Sequence, residues 1–110
     1  MKARIPNSGG MGNIMQQAQK MQQQMTEAQA DLETREYEAS AGGGLVKVSI
    51  NGKKEISKVT IDPSVIDPDD VEMLEDLVAA AVNEAIRLVE DDAAEEMGKI
   101  TGSLNVPGLF

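Results

Sequence analysis

Eight lysine and arginine residues within the first 58 positions are the side chains of this chain best suited to bind an anion. A cation beside a phosphate releases condensed counterions, so such a set can bind nucleic acid without reading its bases. Lysines on edge strands also prevent sheets from aggregating. This role explains the presence of any one of these lysines at least as well as nucleic-acid binding does. The candidate nucleic-acid-binding residues are Lys2, Arg4, Lys20, Arg35, Lys47, Lys53, Lys54 and Lys58.

Charge is divided unevenly along the chain. Residues 1–33 contain three acids and three bases, and residues 34–61 contain five bases and three acids. Residues 62–110 contain thirteen acids against Arg87 and Lys99, a net charge of −11 within a total of −9. Because phosphates are repelled by such a segment, a polyanion must be bound by the first two thirds of the chain.

The kind of nucleic acid is restricted by the scarcity of aromatic residues. One Tyr, one Phe and no Trp leave almost no platform on which an unpaired base could stack. Binding to the backbone of duplex DNA is therefore favoured over single strands or RNA. The glutamines at positions 16, 17, 19 and 22–24 could hydrogen-bond phosphates or bases, although such residues are more often simply soluble helix formers.

Catalysis and metal binding have little support in the sequence. The chain has no Cys and no His, which removes the commonest nucleophile, general base and metal ligands. Gly42-Gly43-Gly44 lacks the Gly-Lys-Ser/Thr ending of a phosphate loop, so a turn or bulge is expected. The acids Asp67, Asp69 and Asp70 lack the calcium-loop spacing and suit a helix start. We expect no enzyme activity, no catalytic residue, no metal site, no cofactor and no small-molecule substrate.

The elements that must position these cations can be read from periodicity. Residues 1–10 lack a pattern and are expected to form a flexible arm, and residues 11–110 to form one domain. Apolar residues then repeat every three or four positions, which predicts a helix over 11–33 with one packing seam: Met11, Ile14, Ala18, Met21, Met25, Ala28 and Leu32. Alternation predicts antiparallel strands over 34–40, 45–51 and 54–61, with Asn51-Gly52 as a two-residue type I′ turn.

A second long helix is predicted over 68–97, followed by a tail over 98–110. Asp67 suits its N-cap, Pro68 its first position and Gly98 its C-cap. Residues 77–82 are apolar around the whole circumference of this helix, and a single small sheet can cover only one side. We therefore expect a homodimer whose interface draws on the second strand and this helix: Val46, Val48, Ile50, Leu74, Leu77, Val78, Ala81 and Val82.

Five segments of the chain together carry a family resemblance: MGNIMQQAQKMQQQM at 11–25, AGGGLVKVSINGKKE at 41–55, VTIDPSVI at 59–66, DVEMLEDLVAAAVNEAI at 70–86 and MGKITGSLNVPGL at 97–109. In this order they resemble the YbaB/EbfC family of bacterial nucleoid-associated proteins. The resemblance implies a small α+β protein that forms a tweezer-like homodimer, with a central sheet and protruding helices. It also implies loosely sequence-selective DNA binding in the cytoplasm. The single lysine of the first helix, Lys20, is fewer than family members often carry.

The leading functional hypothesis is a nucleoid-associated homodimer that binds duplex DNA mainly through its phosphates, alters DNA conformation and affects gene expression. The alternative is a protein-interaction adaptor for DNA-processing proteins that does not itself bind DNA tightly. No segment has the roughly 18 apolar residues of a membrane span, and the N-terminus lacks the apolar core of a signal peptide. A location in the cytoplasm, at the nucleoid, is expected.

Overall fold

The computed structural model describes the backbone of residues 4–103 and the side chains of residues 12–102. The elements in chain order are α1 (Arg4–Thr34), β1 (Glu36–Ala41), β2 (Val46–Asn51), β3 (Ile56–Ile61), a 3₁₀ turn (Pro63–Val65) and α2 (Val71–Ser103). This confirms the predicted α+β class: a long first helix, three antiparallel strands and a long last helix. The molecule is elongated, with extents of 84 × 25 × 16 Å.

The first helix is longer than the sequence predicts. α1 begins at Arg4 instead of residue 11, so the helix includes most of the segment expected to be a flexible arm. Pro6 falls in the first turn of α1, where an N–H has no acceptor within the helix, so the proline removes no hydrogen bond there. Residues 1–3 lie outside the described part of the chain.

The second helix starts later and ends later than expected. Asp70, not Asp67, is its N-cap, because the Oδ1 atom of Asp70 accepts a hydrogen bond from the Met73 N–H at 3.3 Å. Asp67 instead accepts from the Asp69 N–H at 2.9 Å and forms a turn ahead of the helix. α2 also continues through Gly98 to Ser103, so Gly98 is not a C-cap and half of the predicted tail is helical. Residues 104–110 are not described.

The sheet has the order β1-β2-β3 and buries one face against α2. Val46, Val48 and Ile50 on β2 are fully buried, as the alternation of this strand requires. Ala81, Ala85 and Val89, spaced four residues apart on α2, form the opposite side of the core. α2 packs mainly over β1 and β2, so β3 receives less cover from it.

The hairpin between β2 and β3 differs from the predicted type I′ turn. The Lys54 N–H donates to the Asn51 carbonyl at 2.9 Å, and Lys54 has a φ of 64°, so the loop has three residues and Lys54 supplies the left-handed position. Gly52 is required for a different reason: a Cβ there would overlap the backbone oxygen of Leu32 at the end of α1. A register shift at Ser49/Ile50 then brings Ile56 opposite Ile50, which explains why the alternation fails at Ile56.

α1 and the end of α2 form a helical pair that projects from the sheet. We define the arm as residues 12–34 of α1 together with residues 90–102 of α2. This helical arm is different from the flexible N-terminal arm predicted over residues 1–10. The crevice between them is lined by Gln24, Glu27 and Ala28 from one helix and by Glu96, Lys99 and Ile100 from the other. Of the predicted seam, Leu32 is buried and Met21 and Ala28 are half-buried, whereas Ile14, Ala18 and Met25 are exposed. The side chain of Met11 lies outside the described residues.

Candidate nucleic-acid interface

The sheet face opposite α2 is polar. Strand alternation places eight side chains on this outer face: Glu36, Glu38, Ser40, Lys47, Ser49, Asn51, Lys58 and Thr60. All are exposed except Ser49 and Asn51, which are half-buried. Lys47 lies between its register partners Ser40 and Thr60, and Ser49 lies between Glu38 and Lys58. The face therefore combines two cations, three hydroxyl groups, one amide and two carboxylates. Ammonium and hydroxyl groups are common donors to phosphate oxygens, but the two carboxylates balance the charge of the two lysines.

The β2–β3 hairpin carries two further lysines at the end of the sheet. Lys53 is exposed and has no ion-pair partner among residues 12–102. Lys54 is also exposed, but its Nζ lies 3.2 Å from a carboxylate oxygen of Glu90 on α2. An exposed pair of this kind contributes little to stability and can exchange partners, so Lys54 is a weaker candidate for phosphate binding than Lys53.

Arg35 is already neutralised within the chain. Its guanidinium group donates to Asp31 at 2.7 Å and to Asp92 at 2.9 Å, and Glu96 lies 3.5 Å away. The Tyr37 hydroxyl donates to the same Asp92 oxygen at 2.5 Å. These hydrogen bonds raise the pKa of Arg35 and lower the pKa of Asp92, because each favours the charged form. Arg35 therefore joins α1 to α2 and is not available as a free cation for phosphate.

The remaining candidate cations belong to α1 or precede it. Lys20 is exposed on α1 beside Asn13, Gln16 and Gln17, and no ion pair of Lys20 occurs within residues 12–102. Arg4 is the first residue of α1, with its side chain outside the described residues. Lys2 precedes the described backbone. Of the predicted cations whose side chains are described, two lie on the outer face, two on the hairpin, Lys20 on α1 and Arg35 directly after α1. The structure does not gather these six into one cluster.

The predicted dimer-interface residues fall into two groups. Val46, Val48, Ile50 and Ala81 have no exposed surface in the single chain and serve its own core. The other four are half-buried and stay candidates for contact with a second copy: Leu74, Leu77, Val78 and Val82. Sequence reasoning missed Ile56 and Val59 on β3, which are 42% and 44% exposed although they lie on the inner face of the sheet. Their β-branched side chains predict a strand, but the sequence does not show that α2 leaves these two side chains uncovered.

Electrostatics separates the arm from the outer face. The arm contains Lys20 and Lys99 against eight acids, a net charge of −6: Glu27, Asp31, Glu33, Glu90, Asp91, Asp92, Glu95 and Glu96. Sequence reasoning treated the first helix as neutral, because the acids of α2 that pack beside it lie more than 50 positions away in the chain. The net negative charge of the arm therefore repels a phosphate group that approaches it.

Within residues 12–102, no group of three or more His, Cys, Asp or Glu side chains is arranged to hold a metal ion. Of the helices described, none combines the length and apolar character needed to cross a membrane.

The chain has clear relatives among known proteins. It is 60% identical over 111 residues to a nucleoid-associated protein of Alkaliphilus oremlandii (strain OhILAs), covering 99% of this chain and 97% of the relative. It is 56% identical over 109 residues to a nucleoid-associated protein of Clostridium novyi (strain NT), covering 96% of both. The fold is similar to the crystal structure of an uncharacterized protein from Helicobacter pylori. The TM-score is 0.60 at 24% identity, over 71% of this chain and 90% of that one.

A family model, described as the YbaB/EbfC DNA-binding family, matches residues 8–104. This match extends over both helices and all three strands of the structure. The resemblance inferred from the five sequence segments is therefore confirmed. The chain belongs to the YbaB/EbfC DNA-binding family.

Proposed function

We propose that this chain binds duplex DNA as a homodimer, mainly through the phosphate backbone, and thereby alters DNA conformation and gene expression. The observation that carries the proposal is the position of its exposed lysines. Lys20, Lys47, Lys53 and Lys58 have no ion-pair partner within residues 12–102, and all belong to the first two thirds of the chain. They are the side chains of the described region that are most available to neutralise phosphates.

The form of nucleic acid follows from the aromatic residues. Tyr37 is half-buried, and its hydroxyl is held by Asp92 at 2.5 Å, so its ring is not a free platform for an unpaired base. Stacking is the main source of affinity for single strands, whereas duplex binding needs backbone contacts. Lysines and hydroxyls make such contacts without selecting a base. Shape and deformability of the DNA then contribute more to selectivity than its sequence.

A homodimer is supported by apolar surface that one chain leaves uncovered. Ile56 and Val59 are exposed on the inner face of β3, and Leu74, Leu77 and Val78 are only half-buried on α2. A second copy would remove these side chains from water and double the set of available lysines. With three or four phosphate contacts per subunit, the dimer would make about 6–8 contacts, enough for a strong dependence on salt.

The DNA proposal is tested by a mobility-shift titration of duplex DNA at 50 and 200 mM salt. We expect retardation at micromolar protein in the lower salt, and a loss of affinity on the order of 10³-fold in the higher salt for about six phosphate contacts. Absence of retardation at low salt would overturn DNA binding, and a response that does not depend on salt would overturn the phosphate mechanism.

The dimer is tested separately by sedimentation velocity at micromolar concentrations. We expect a species of twice the 11.7 kDa chain mass. The paired variant Ile56→Lys/Val59→Lys changes only exposed inner-face side chains and should shift this species towards monomer while leaving the helical circular dichroism unchanged. A folded wild-type monomer at these concentrations would contradict the dimer.

A second candidate function, a protein-interaction adaptor for DNA-processing proteins, is favoured by the acidic arm. Ile14 and Met15 on α1 are 65% and 60% exposed, so the negatively charged pair of helices also presents apolar side chains to solvent. This combination suits a protein partner better than a polyanion. The mobility shift separates the two functions, because an adaptor would leave duplex DNA unretarded. Both functions place the protein at the nucleoid in the cytoplasm, as the names of its relatives suggest, and neither requires enzyme activity.

A further inference from the structure

We infer that Arg35 is a positioning residue for DNA binding. Its hydrogen bonds fix the direction of α1 relative to the sheet, and this direction decides whether the lysines of α1 and those of the sheet can contact one duplex together. The inference rests on the proposed DNA binding and names a residue that acts in it without contacting DNA.

Arg35 lies between the last residue of α1 and the first residue of β1. Its Nε and Nη2 atoms donate to one oxygen of Asp31 on α1 at 3.1 and 2.7 Å, and its Nη1 atom donates to Asp92 on α2 at 2.9 Å. The donors of a planar guanidinium group cannot move independently, so they hold the last turn of α1 and the side of α2 in one geometry. The Tyr37 hydroxyl on β1 donates to the same Asp92 oxygen, which includes the sheet in the link. Arg35 and Asp92 are 34% and 27% exposed, so salt screens this pair less than a fully exposed one.

The other contacts of α1 define its direction less strictly. Leu32 is buried, and the hairpin backbone approaches it closely at Gly52. Burial of an apolar side chain is non-directional, so these contacts hold the end of α1 in place but let the helix pivot there. Farther along the arm, the Oε1 atom of Gln24 is buried without a hydrogen-bond partner among residues 12–102. The packing of Gln24 beside α2 therefore adds no polar link through this atom.

The length of α1 amplifies any rotation at Arg35. All side chains of residues 12–20 are exposed, and residue 12 precedes Thr34, the end of α1, by 22 positions. This is about 33 Å of helix, so a rotation of about 10° at Arg35 would move residue 12 by about 6 Å. That displacement exceeds the rise of about 3.4 Å between successive phosphates of one DNA strand. A small change in the direction of α1 therefore changes which phosphate the helix can reach.

The lysines available for phosphate lie on both sides of Arg35. Lys20 is on α1, and the other three are on the sheet and its hairpin: Lys47, Lys53 and Lys58. Residues 12–26 of α1 contain Lys20 and no acid, so the acids of the arm are concentrated nearer to Arg35. If the distance between the two groups of lysines is fixed before binding, the duplex does not have to order α1, and less entropy is lost. Arg35 thus contributes to affinity through the position of lysines that it does not touch.

Two double variants that conserve the net charge test the inference. Arg35→Gln/Asp92→Asn removes the ion pair that links the end of α1 to α2. Glu84→Gln/Arg87→Gln is the matched control, because it removes an ion pair of 2.6 Å that lies within α2 alone. Both proteins are compared with wild type by mobility shift of duplex DNA across a salt series.

The direction of α1 is measured separately, without DNA. The chain has no Cys, so nitroxide labels at Gln16→Cys on α1 and Thr60→Cys on β3 report the distance between helix and sheet by pulsed electron paramagnetic resonance. Both positions are exposed. An excess of unlabelled protein of the same variant leaves one labelled chain in each dimer.

For the control variant we expect the distance distribution and the affinity of wild type. For Arg35→Gln/Asp92→Asn we expect a broader distance distribution with unchanged helical circular dichroism, and an affinity for duplex DNA about 3- to 10-fold lower. Its salt slope should stay within about 1 of wild type, because no phosphate contact is removed.

A wild-type distance distribution or a wild-type affinity for Arg35→Gln/Asp92→Asn would overturn the inference. A salt slope shallower by about 2 per dimer would also overturn it, because Arg35 would then contact phosphate itself. If this variant loses helical signal, Arg35→Lys takes its place, since lysine keeps the charge but not the planar fork, and a distribution as narrow as that of wild type would overturn the inference. Failure of the wild-type protein to bind DNA would overturn the proposed function instead, and the distance measurement would still decide whether Arg35 directs α1.

Discussion

The sheet and the arm differ in how much of their surface is buried. Val46, Val48 and Ile50 of the sheet are completely inaccessible to solvent, whereas nearly every side chain of α1 between residues 12 and 31 is exposed. The sheet packs against α2 as a hydrophobic core, but the arm is a pair of helices with few apolar contacts. We conclude that the free energy of unfolding resides mainly in the sheet and the first part of α2, and that the arm depends on its attachment to them.

The attachment is a small joint at the end of α1. Leu32 is 5% exposed, Arg35 bonds to Asp92 on α2, and the Gly52 N–H donates to the Arg35 carbonyl at 3.0 Å. These contacts connect α1 to the hairpin on one side and to α2 on the other. The comparison therefore predicts large effects for substitutions in the core, intermediate effects at the joint, and small effects along the arm.

The largest expected effect comes from truncating the core of the sheet. Ile50→Ala should lower the free energy of unfolding by about 2–5 kcal/mol, because the side chain is fully buried and the cavity cannot refill. Met25→Ala on the arm, where the side chain is 41% exposed, should change it by less than about 1 kcal/mol. Urea denaturation at fixed protein concentration measures both. Equal losses would show that the arm has a packing partner equivalent to the core.

The second prediction concerns the joint. Gly52→Ala should destabilise the protein by about 3 kcal/mol, because its Cβ would overlap the Leu32 carbonyl and force the backbone of α1 away from the hairpin. Gly98→Ala is the matched control, since a Cβ at that position of α2 meets no atom within 4 Å. The control should stabilise the protein by about 0.5–1 kcal/mol through helix propensity. A neutral Gly52→Ala variant would contradict the close approach at the joint.

The same joint shows what could and could not be predicted from sequence. Alternation at Val46, Val48 and Ile50 identified β2 and its buried face, because period-2 patterning is local. Asn51-Gly52 was interpreted as a type I′ turn, yet the glycine is needed for an approach to Leu32, 20 residues earlier in the chain. Local patterns cannot contain that information.

The candidate site was predictable only in part for the same physical reason. Lys47 and Lys58 were identified as candidates by residue type, and strand register alone decides that they share a face. Arg35 was placed in the DNA-binding set, although Asp31 at the i−4 position was a visible signal of a local pair. Its partner Asp92, 57 positions away, could not be inferred without the fold.

The weakest of the predicted effects at the joint concerns the Tyr37 hydroxyl, which donates to Asp92 beside Arg35, and this effect depends on pH. Burial, assisted by the hydrogen bond to Asp92, raises the pKa of Tyr37 to about 12, above the value of about 10 in an unfolded chain. The hydroxyl therefore contributes stability that is fully present below about pH 10 and is lost as pH rises towards 12. Tyr37→Phe removes this contribution and should cost about 1 kcal/mol at pH 8.

The two proteins should consequently converge in stability between pH 10 and 12. Urea denaturation at intervals over pH 8–12 measures the difference in the free energy of unfolding between the two proteins. Arg35 stays charged throughout, because its bonds to Asp31 and Asp92 raise its pKa. Tyr37 is then the group of this joint that titrates in the window. Parallel curves for the two proteins would show that the hydroxyl does not hold α2 to the sheet, and would leave Arg35 as the polar link between the sheet and the arm.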